Sequence, residues 1–327
     1  RSGELMPHCH ADMITKLAPV YYDRDAECPL WESFLSRVFQ HNSDLISFIQ
    51  RAAGYSLTGS TTERAMFILY GNQGKNGKST LLETLRAMLG DYAARTPTST
   101  LMAKREGGIP NDVARLQGAR FVSASESEDG KKLAESTIKD MTGGDTVAAR
   151  YMRAEWFEFV PQFKIWLSTN HKPQIRGTDQ AIWDRIRLIP FHIRIPDSEQ
   201  DPMLGSKLRA ELPGILAWAV RGCLDWQEHG LGTAAAVQSA TETYRAEMDT
   251  LAGFIADCCV EGSAEFASAA ALYDRYCHWC RENNERPETG TSFGMRMTER
   301  GFGRARTAAG IRYYGLSVIS ETIELSM

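Results

Sequence analysis

Apolar positions along the chain follow two different periodicities. Between residues 29 and 51, Trp31, Phe34, Leu35, Val38 and Phe39 recur at helical spacing, and Leu45, Ile46, Phe48 and Ile49 repeat it after Asn42-Ser43-Asp44, a capping stretch. Two helices are expected there, with Gly54 to Ser60 as a loop beyond them. The pattern then shortens. Residues 66–70, 118–124 and 163–167 are brief apolar runs that read as buried strands, and a fourth short strand is expected near 186–191. Residues 132–141 read as a helix closed by Gly143-Gly144. Residues 147–160 carry β-formers around a polar tip, Met152-Arg153-Ala154-Glu155, which predicts a hairpin. A helix pair broken at Pro213-Gly214 and a helix over 237–259 with Gly253 as a soft interruption follow. The last segment predicts a helix over 264–283, a second helix opened by Thr291-Ser292, and two short strands at 305–307 and 311–318, a helix–helix–wing order.

The stretch that organises this pattern is Phe67-Ile68-Leu69-Tyr70-Gly71-Asn72-Gln73-Gly74-Lys75-Asn76-Gly77-Lys78-Ser79-Thr80. A buried strand enters a glycine-bearing turn, and Leu81, Leu82, Leu85, Met88 and Leu89 mark the helix that leaves it. Such a turn aims backbone N–H groups and a helix N-terminus at phosphate oxygens. Gly74, Lys75, Asn76, Gly77, Lys78, Ser79 and Thr80 are the expected nucleotide cradle; Lys78 reaches the terminal phosphates and Ser79 ligates Mg²⁺. The strict pattern places glycine where this chain has Asn72, with Gly71 one position earlier. Asparagine tolerates left-handed backbone better than most residues, so the turn is expected to survive.

Two further candidates lie at strand ends. Glu126 and Glu128 follow an apolar strand two residues apart, and share a face if the strand continues. A carboxylate beside a phosphate loop handles Mg²⁺ and the attacking water; a solvated acidic turn running on to Asp129 is the alternative. Asn170 ends the strand over 163–170 and could hold a water against a terminal phosphate, although such an asparagine is often turn chemistry alone.

Composition narrows the picture without changing it. At 327 residues, two or three domains are expected, and 43% hydrophobic with 24% charged residues is ordinary globular composition. A net charge of -4 excludes a uniformly basic nucleic-acid binder but not a local basic surface. From Arg286 to Arg312, six arginines (286, 296, 300, 304, 306 and 312) face only Glu288 and Glu299. No apolar run approaches membrane-spanning length, and no signal peptide is visible. The seven cysteines include Cys277-His278-Trp279-Cys280, which resembles half a zinc site. With no second spaced pair, reduced core cysteines are the expected reading. The chain begins at Arg1, which suggests a fragment of a larger polypeptide.

The ordered set of motifs resembles the superfamily 3 helicase module of phage, plasmid and poxvirus-type primase-helicases. The resemblance runs through Gly54-Tyr55-Ser56-Leu57-Thr58-Gly59, the Asn76–Thr80 loop, Ser125-Glu126-Ser127-Glu128, residues 138–145, Leu167-Ser168-Thr169-Asn170-His171-Lys172-Pro173 and Trp183-Asp184-Arg185-Ile186-Arg187-Leu188-Ile189-Pro190-Phe191. It implies an α/β fold: an AAA+-like P-loop NTPase core with a parallel sheet (residues 61–195), a helical N-terminal domain (1–60), a helical segment (196–260) and a C-terminal winged-helix-like domain (263–327). It implies ATP and Mg²⁺ as cofactors, with Lys78, Glu126, Glu128, Asn170 and Arg185 catalytic, and Ser79 and Glu126 at the metal. Arg185 matches the arginine presented to a neighbouring subunit's nucleotide, with Arg187 as a substitute. Lys139, Arg150, Arg153 and Lys164 lie around the expected DNA-contacting hairpin, and Arg296, Arg304 and Arg306 in the basic tail. The implied partners are single-stranded or forked DNA, a homo-hexameric ring and a primase or polymerase domain upstream, in the cytoplasm of a phage or mobile-element host. A DNA-binding switch with slow hydrolysis, or a P-loop kinase, are the rival classes.

Overall fold

The computed structural model describes residues 5–103, 111–125, 130–175, 180–283, 285–308 and 310–319. The elements of the first unit are α1 (Pro29–Val38), α2 (Ser43–Ser56), β1 (Met66–Tyr70), α3 (Lys78–Leu89), β2 (Ala93–Arg95), α4 (Asn111–Ala114), β3 (Phe121–Ser125), α5 (Glu135–Gly143), β4 (Val147–Ala149), β5 (Phe157–Phe159), β6 (Lys164–Thr169), α6 (Gln180–Trp183), β7 (Ile186–Pro190), α7 (Leu204–Ala210), α8 (Leu212–His229) and α9 (Ala235–Met248). Five strands form one sheet in the order β2-β3-β6-β1-β7, every neighbour parallel. β1, the strand of the phosphate loop, is therefore an interior strand between β6 and β7, and β6 separates it from β3. Continuous apolar runs such as Met66–Tyr70 are what a parallel sheet covered on both faces requires. This is the AAA+-like α/β core that the sequence led us to expect.

The lead-in helices belong to this same core. Asn42 caps α2 by accepting from the Leu45 N–H at 3.0 Å, while Glu211 reaches across the fold to accept from the Leu30 and Trp31 N–H groups at the start of α1. Trp31 packs edge-on against Trp218 of α8. The stretch Gly54-Tyr55-Ser56, expected in a loop, instead finishes α2. Its glycine serves contact: a Cβ on Gly54 would lie 2.1 Å from the Cys223 backbone nitrogen in α8, so the two helix backbones touch there. The chain divides into two compact units, residues 1–245 and 246–327, with the boundary inside the expected 196–260 segment.

Lys164 corrects one expectation. Placed at the DNA surface by its sequence neighbourhood, it is 1% exposed at the start of β6. Its ammonium donates to the carbonyls of Thr58, Ser60 (3.1 Å) and Gln162 (3.3 Å), and lies 4.6 Å from the centroid of the Tyr55 ring. Burial, helped by the nearby Arg120, pushes its pKa down to about 7. It closes the 57–62 turn from inside. Lys164→Ala is expected to cost about 2–4 kcal/mol in denaturant unfolding, because carbonyls lose their donor and a void opens. An unchanged unfolding midpoint would return Lys164 to the surface role.

The second unit contains α10 (Thr250–Cys258), β8 (Cys259–Ser268), α11 (Ala269–Glu282), α12 (Gly290–Glu299), β9 (Gly303–Thr307) and β10 (Gly310–Val318). β8 is where the beginning of a helix was expected. It pairs antiparallel with β10, which pairs with β9, giving a winged-helix arrangement of three helices and a three-stranded sheet. The helix expected over 237–259 breaks at Asp249, whose side chain caps α10 by accepting from Ala252 N–H. Tyr276, Trp279 and Cys280 of α11 are buried in this unit's core. The cysteines are free thiols, and among the described residues no group of three His, Cys, Asp or Glu side chains is placed to hold a metal. Among the described residues, no helix is long and apolar enough to cross a membrane.

Candidate functional site

The phosphate loop leaves β1 at Gly71 and enters α3 at Lys78. Left-handed backbone is needed at only two of its positions, Lys75 (φ 59°) and Gly77 (φ 90°). Asn72 is not among them, so the departure from the strict glycine pattern carries no conformational cost. Gly77 also faces α1, where a Cβ would lie 2.7 Å from Val38 Cγ2. Asn76 is buried and locks the turn from within, its side-chain amide donating to the Gln73 carbonyl at 2.6 Å. Gly74, Lys75 and Ser79 remain exposed on the outer rim, where the N-terminal N–H groups of the 12-residue α3 are unpaired by the helix itself.

Lys78 ties the loop to the neighbouring strand. Its ammonium donates to the Gly71 carbonyl and to Asn170 Oδ1, both at 2.8 Å. β6 lies directly beside β1 with Tyr70 opposite Thr169, and this register brings Asn170 to the lysine. Burial holds the Lys78 pKa down at about 8. A polyphosphate laid on the rim would supply the anion that this desolvated ammonium needs, so the residues present fit the phosphates of a nucleotide. β3 ends at Ser125, paired with Ser168, at the same sheet edge. Glu126 and Glu128 lie outside the described residues.

Beside the loop a cavity of about 740 Å³ opens between α1, α3 and the 195–209 segment, lined by Leu30, Phe34, Thr80, Ile195, Gln200 and Leu204 among others. It is the feature that sequence reasoning missed. Lys75 anchors its rim, donating to Asp197 at 2.9 Å and accepting from Ile195 N–H through its carbonyl.

The remaining candidates divide. Arg185 sits just before β7, where Ile186 pairs with Met66, and so at the sheet edge opposite Gly71. Its guanidinium donates to Thr142 Oγ1 at 3.1 Å and to the Ala181 carbonyl. Arg187, two residues on, donates to the Asp184 and Ile186 carbonyls and lines a second cavity of about 520 Å³ against α9. Arg150 and the exposed Arg153 lie on the β4–β5 hairpin, and Lys139 is half-buried on α5. In the second unit Arg296 is corrected. It is 8% exposed and paired with Asp249 and Glu288, so it braces the fold instead of meeting DNA. Arg300 pairs with Asp249 as well. Arg304 and Arg306 stay exposed on β9, while the outward residues of α12 (Thr291, Met295, Thr298 and Glu299) carry no cation.

Three family models match the chain: D5 N terminal like over residues 1–40, a family of unknown function (DUF5906) over 69–185, and Poxvirus D5 protein-like over 246–305. "Putative helicase L207/L206" of Acanthamoeba polyphaga mimivirus is 28% identical over 271 residues, 76% of this chain and 28% of that protein. "Putative primase C962R" of African swine fever virus is 26% identical over 310 residues, 86% of this chain and 32% of that protein. These matches support a superfamily 3 primase-helicase type. The chain spans about a third or less of the length of these relatives. In fold it is similar to the apo C-terminal region of NrS-1, with a TM-score of 0.58 at 12% identity, covering 93% of this chain and 79% of that one. The two viral relatives are named as a putative helicase and a putative primase.

Proposed function

We propose that this chain is the ATP-driven motor of a replication primase-helicase, a ring-forming translocase that separates DNA strands. The observation that carries this reading is the Lys78–Asn170 contact, which joins the phosphate loop to a polar strand end through a desolvated ammonium. ATP lies along Gly74, Lys75, Asn76, Gly77, Lys78, Ser79 and Thr80, with its base toward the cavity lined by Leu30, Phe34 and Ile195. Ser79 and Glu126 would hold Mg²⁺, which would supply charge neutralisation at the terminal phosphates. Lys78 pairs with the β- and γ-phosphates, and Glu128 with Asn170 orients the attacking water. Phosphoryl transfer of this kind is mostly positioning and charge stabilisation. The hairpin with Arg150 and Arg153 grips the backbone of single-stranded or forked DNA, and Arg304 and Arg306 on the wing add a second cationic surface. A homo-hexamer places each Arg185 at a neighbour's nucleotide, and a primase or polymerase domain belongs to the longer protein.

ATP turnover measured with and without single-stranded DNA tests this directly. Turnover is expected to rise severalfold on the strand. A protein that binds DNA without faster turnover is a switch, and one that responds only to a phosphate acceptor is a kinase; either result rejects the motor.

A further inference from the structure

Trp156 is out of place for a tryptophan. All six others are buried or half-buried, whereas Trp156 is 53% exposed. Tryptophan offers more area for burial than other side chains, so a ring left in water is an unusual feature of a folded surface. It lies one residue before β5, on the arm of the hairpin. The alternation of that arm explains its direction. Phe157 and Phe159 share one face with Tyr151, at ring separations of 5.5 and 6.0 Å, and the Tyr151 hydroxyl donates to the Ala114 carbonyl at 3.0 Å. That row fastens the hairpin to the unit. Trp156, one residue out of phase, falls on the opposite face. There the Arg150 guanidinium sits 5.3 Å from its ring centroid. Met152, 77% exposed, and Arg153 complete the tip.

We propose that Trp156 is a stacking platform for unpaired bases of a nucleic-acid strand, with Arg150 bracing the ring and Arg153 meeting the phosphates. This rests on the DNA-translocase reading above. An aromatic face beside cations on an exposed hairpin tip accepts any base, because every base has a π-face. Two three-residue strands provide no flat area of the kind a protein partner needs.

The full chain is titrated with oligodeoxythymidylate and with an abasic strand of equal length. Trp156→Ala should weaken oligodeoxythymidylate binding by about 5- to 100-fold while leaving abasic affinity and the salt slope unchanged, whereas Trp156→Phe keeps most of the affinity. Arg153→Ala should instead lower the log–log salt slope by about 0.7 on both strands. Wild-type tryptophan emission should quench on the base-bearing strand, with that quench missing from Trp156→Phe. If the wild type binds and is stimulated by the strand, but Trp156→Ala binds it equally well and no quench occurs, base stacking is overturned and the motor reading stands. If the wild type neither binds nor responds to the strand, both fail. A DNA-free change in oligomeric mass in Trp156→Ala, with strand affinity kept, assigns the ring to a contact between copies and overturns the platform.

Discussion

Lys78→Ala is expected to lower ATP turnover by at least about 10²–10³-fold, the loss typical when one preorganised charge donor leaves a reacting centre. The expectation comes from the geometry at the end of β1. The ammonium is held at 2.8 Å from Gly71 O and Asn170 Oδ1, and it sits where the phosphates of a nucleotide on the rim would meet it. The fold should survive, because losing two hydrogen bonds is offset by no longer burying a cation. A pH dependence follows from the same burial. The unfolded lysine titrates near 10.5 and the folded one near 8, so between these values the unfolded chain binds more protons. Stability from this group therefore rises with pH through that window, the burial penalty being fully present below about pH 8. Nucleotide affinity should move the other way, since phosphates need the charged form. It should fall above about pH 8 by up to about tenfold per pH unit in the wild type and stay flat in Lys78→Ala. Turnover in Lys78→Ala within a fewfold of wild type would reject the phosphate-loop assignment.

How much of this was legible in the sequence depends on how far apart the cooperating residues lie. The phosphate loop could be read because strand, turn and helix follow one another within 66–89, and each has its own local signal. Even there, left-handed tolerance at Asn72 is not what preserves the turn. The left-handed positions turned out to be Lys75 and Gly77, which a glycine count cannot locate. The hairpin was legible from its β-rich arms and polar tip. The cavity beside the loop was not, because α1, α3 and the 195–209 segment meet only in the folded chain. Lys164 and Arg296 failed for a related reason. Each is a cation with at least one partner far away in sequence, at Thr58 and Ser60 for one and at Asp249 for the other. Charge counting assigns such residues to the surface. β8 was missed because Ala264, Ala267 and Ala269–Ala271 read as helix formers, whereas the pairing that makes 259–268 a strand comes from β10, some fifty residues later.

Arg185 carries the other large effect, and it tests assembly together with chemistry. The strand register puts Arg185 before Ile186, opposite Met66, while the phosphate loop begins after Tyr70 at the far end of the same strands. Five residues of strand at about 3.3 Å each separate the two edges by about 16 Å, beyond the reach of a guanidinium. Within one subunit Arg185 instead donates to Thr142 and Ala181. It can serve a γ-phosphate only on a neighbouring copy, and arginines supplied in this way accelerate related reactions by about 10³–10⁵-fold. Arg185→Ala is therefore expected to bind ATP normally and to lose turnover by about that factor. Mixing it with Lys78→Ala should restore part of the activity, since some mixed interfaces pair an intact Lys78 with an intact Arg185. An arginine acting on its own subunit's nucleotide cannot produce rescue, because every chain in the mixture then carries a defective site. If mixed assemblies form, as seen by mass, and turnover stays at the level of the separate variants, the trans role passes to Arg187. That side chain lies two residues along the same strand at the α9 cavity, and the identical mixing experiment with Arg187→Ala would then show the rescue.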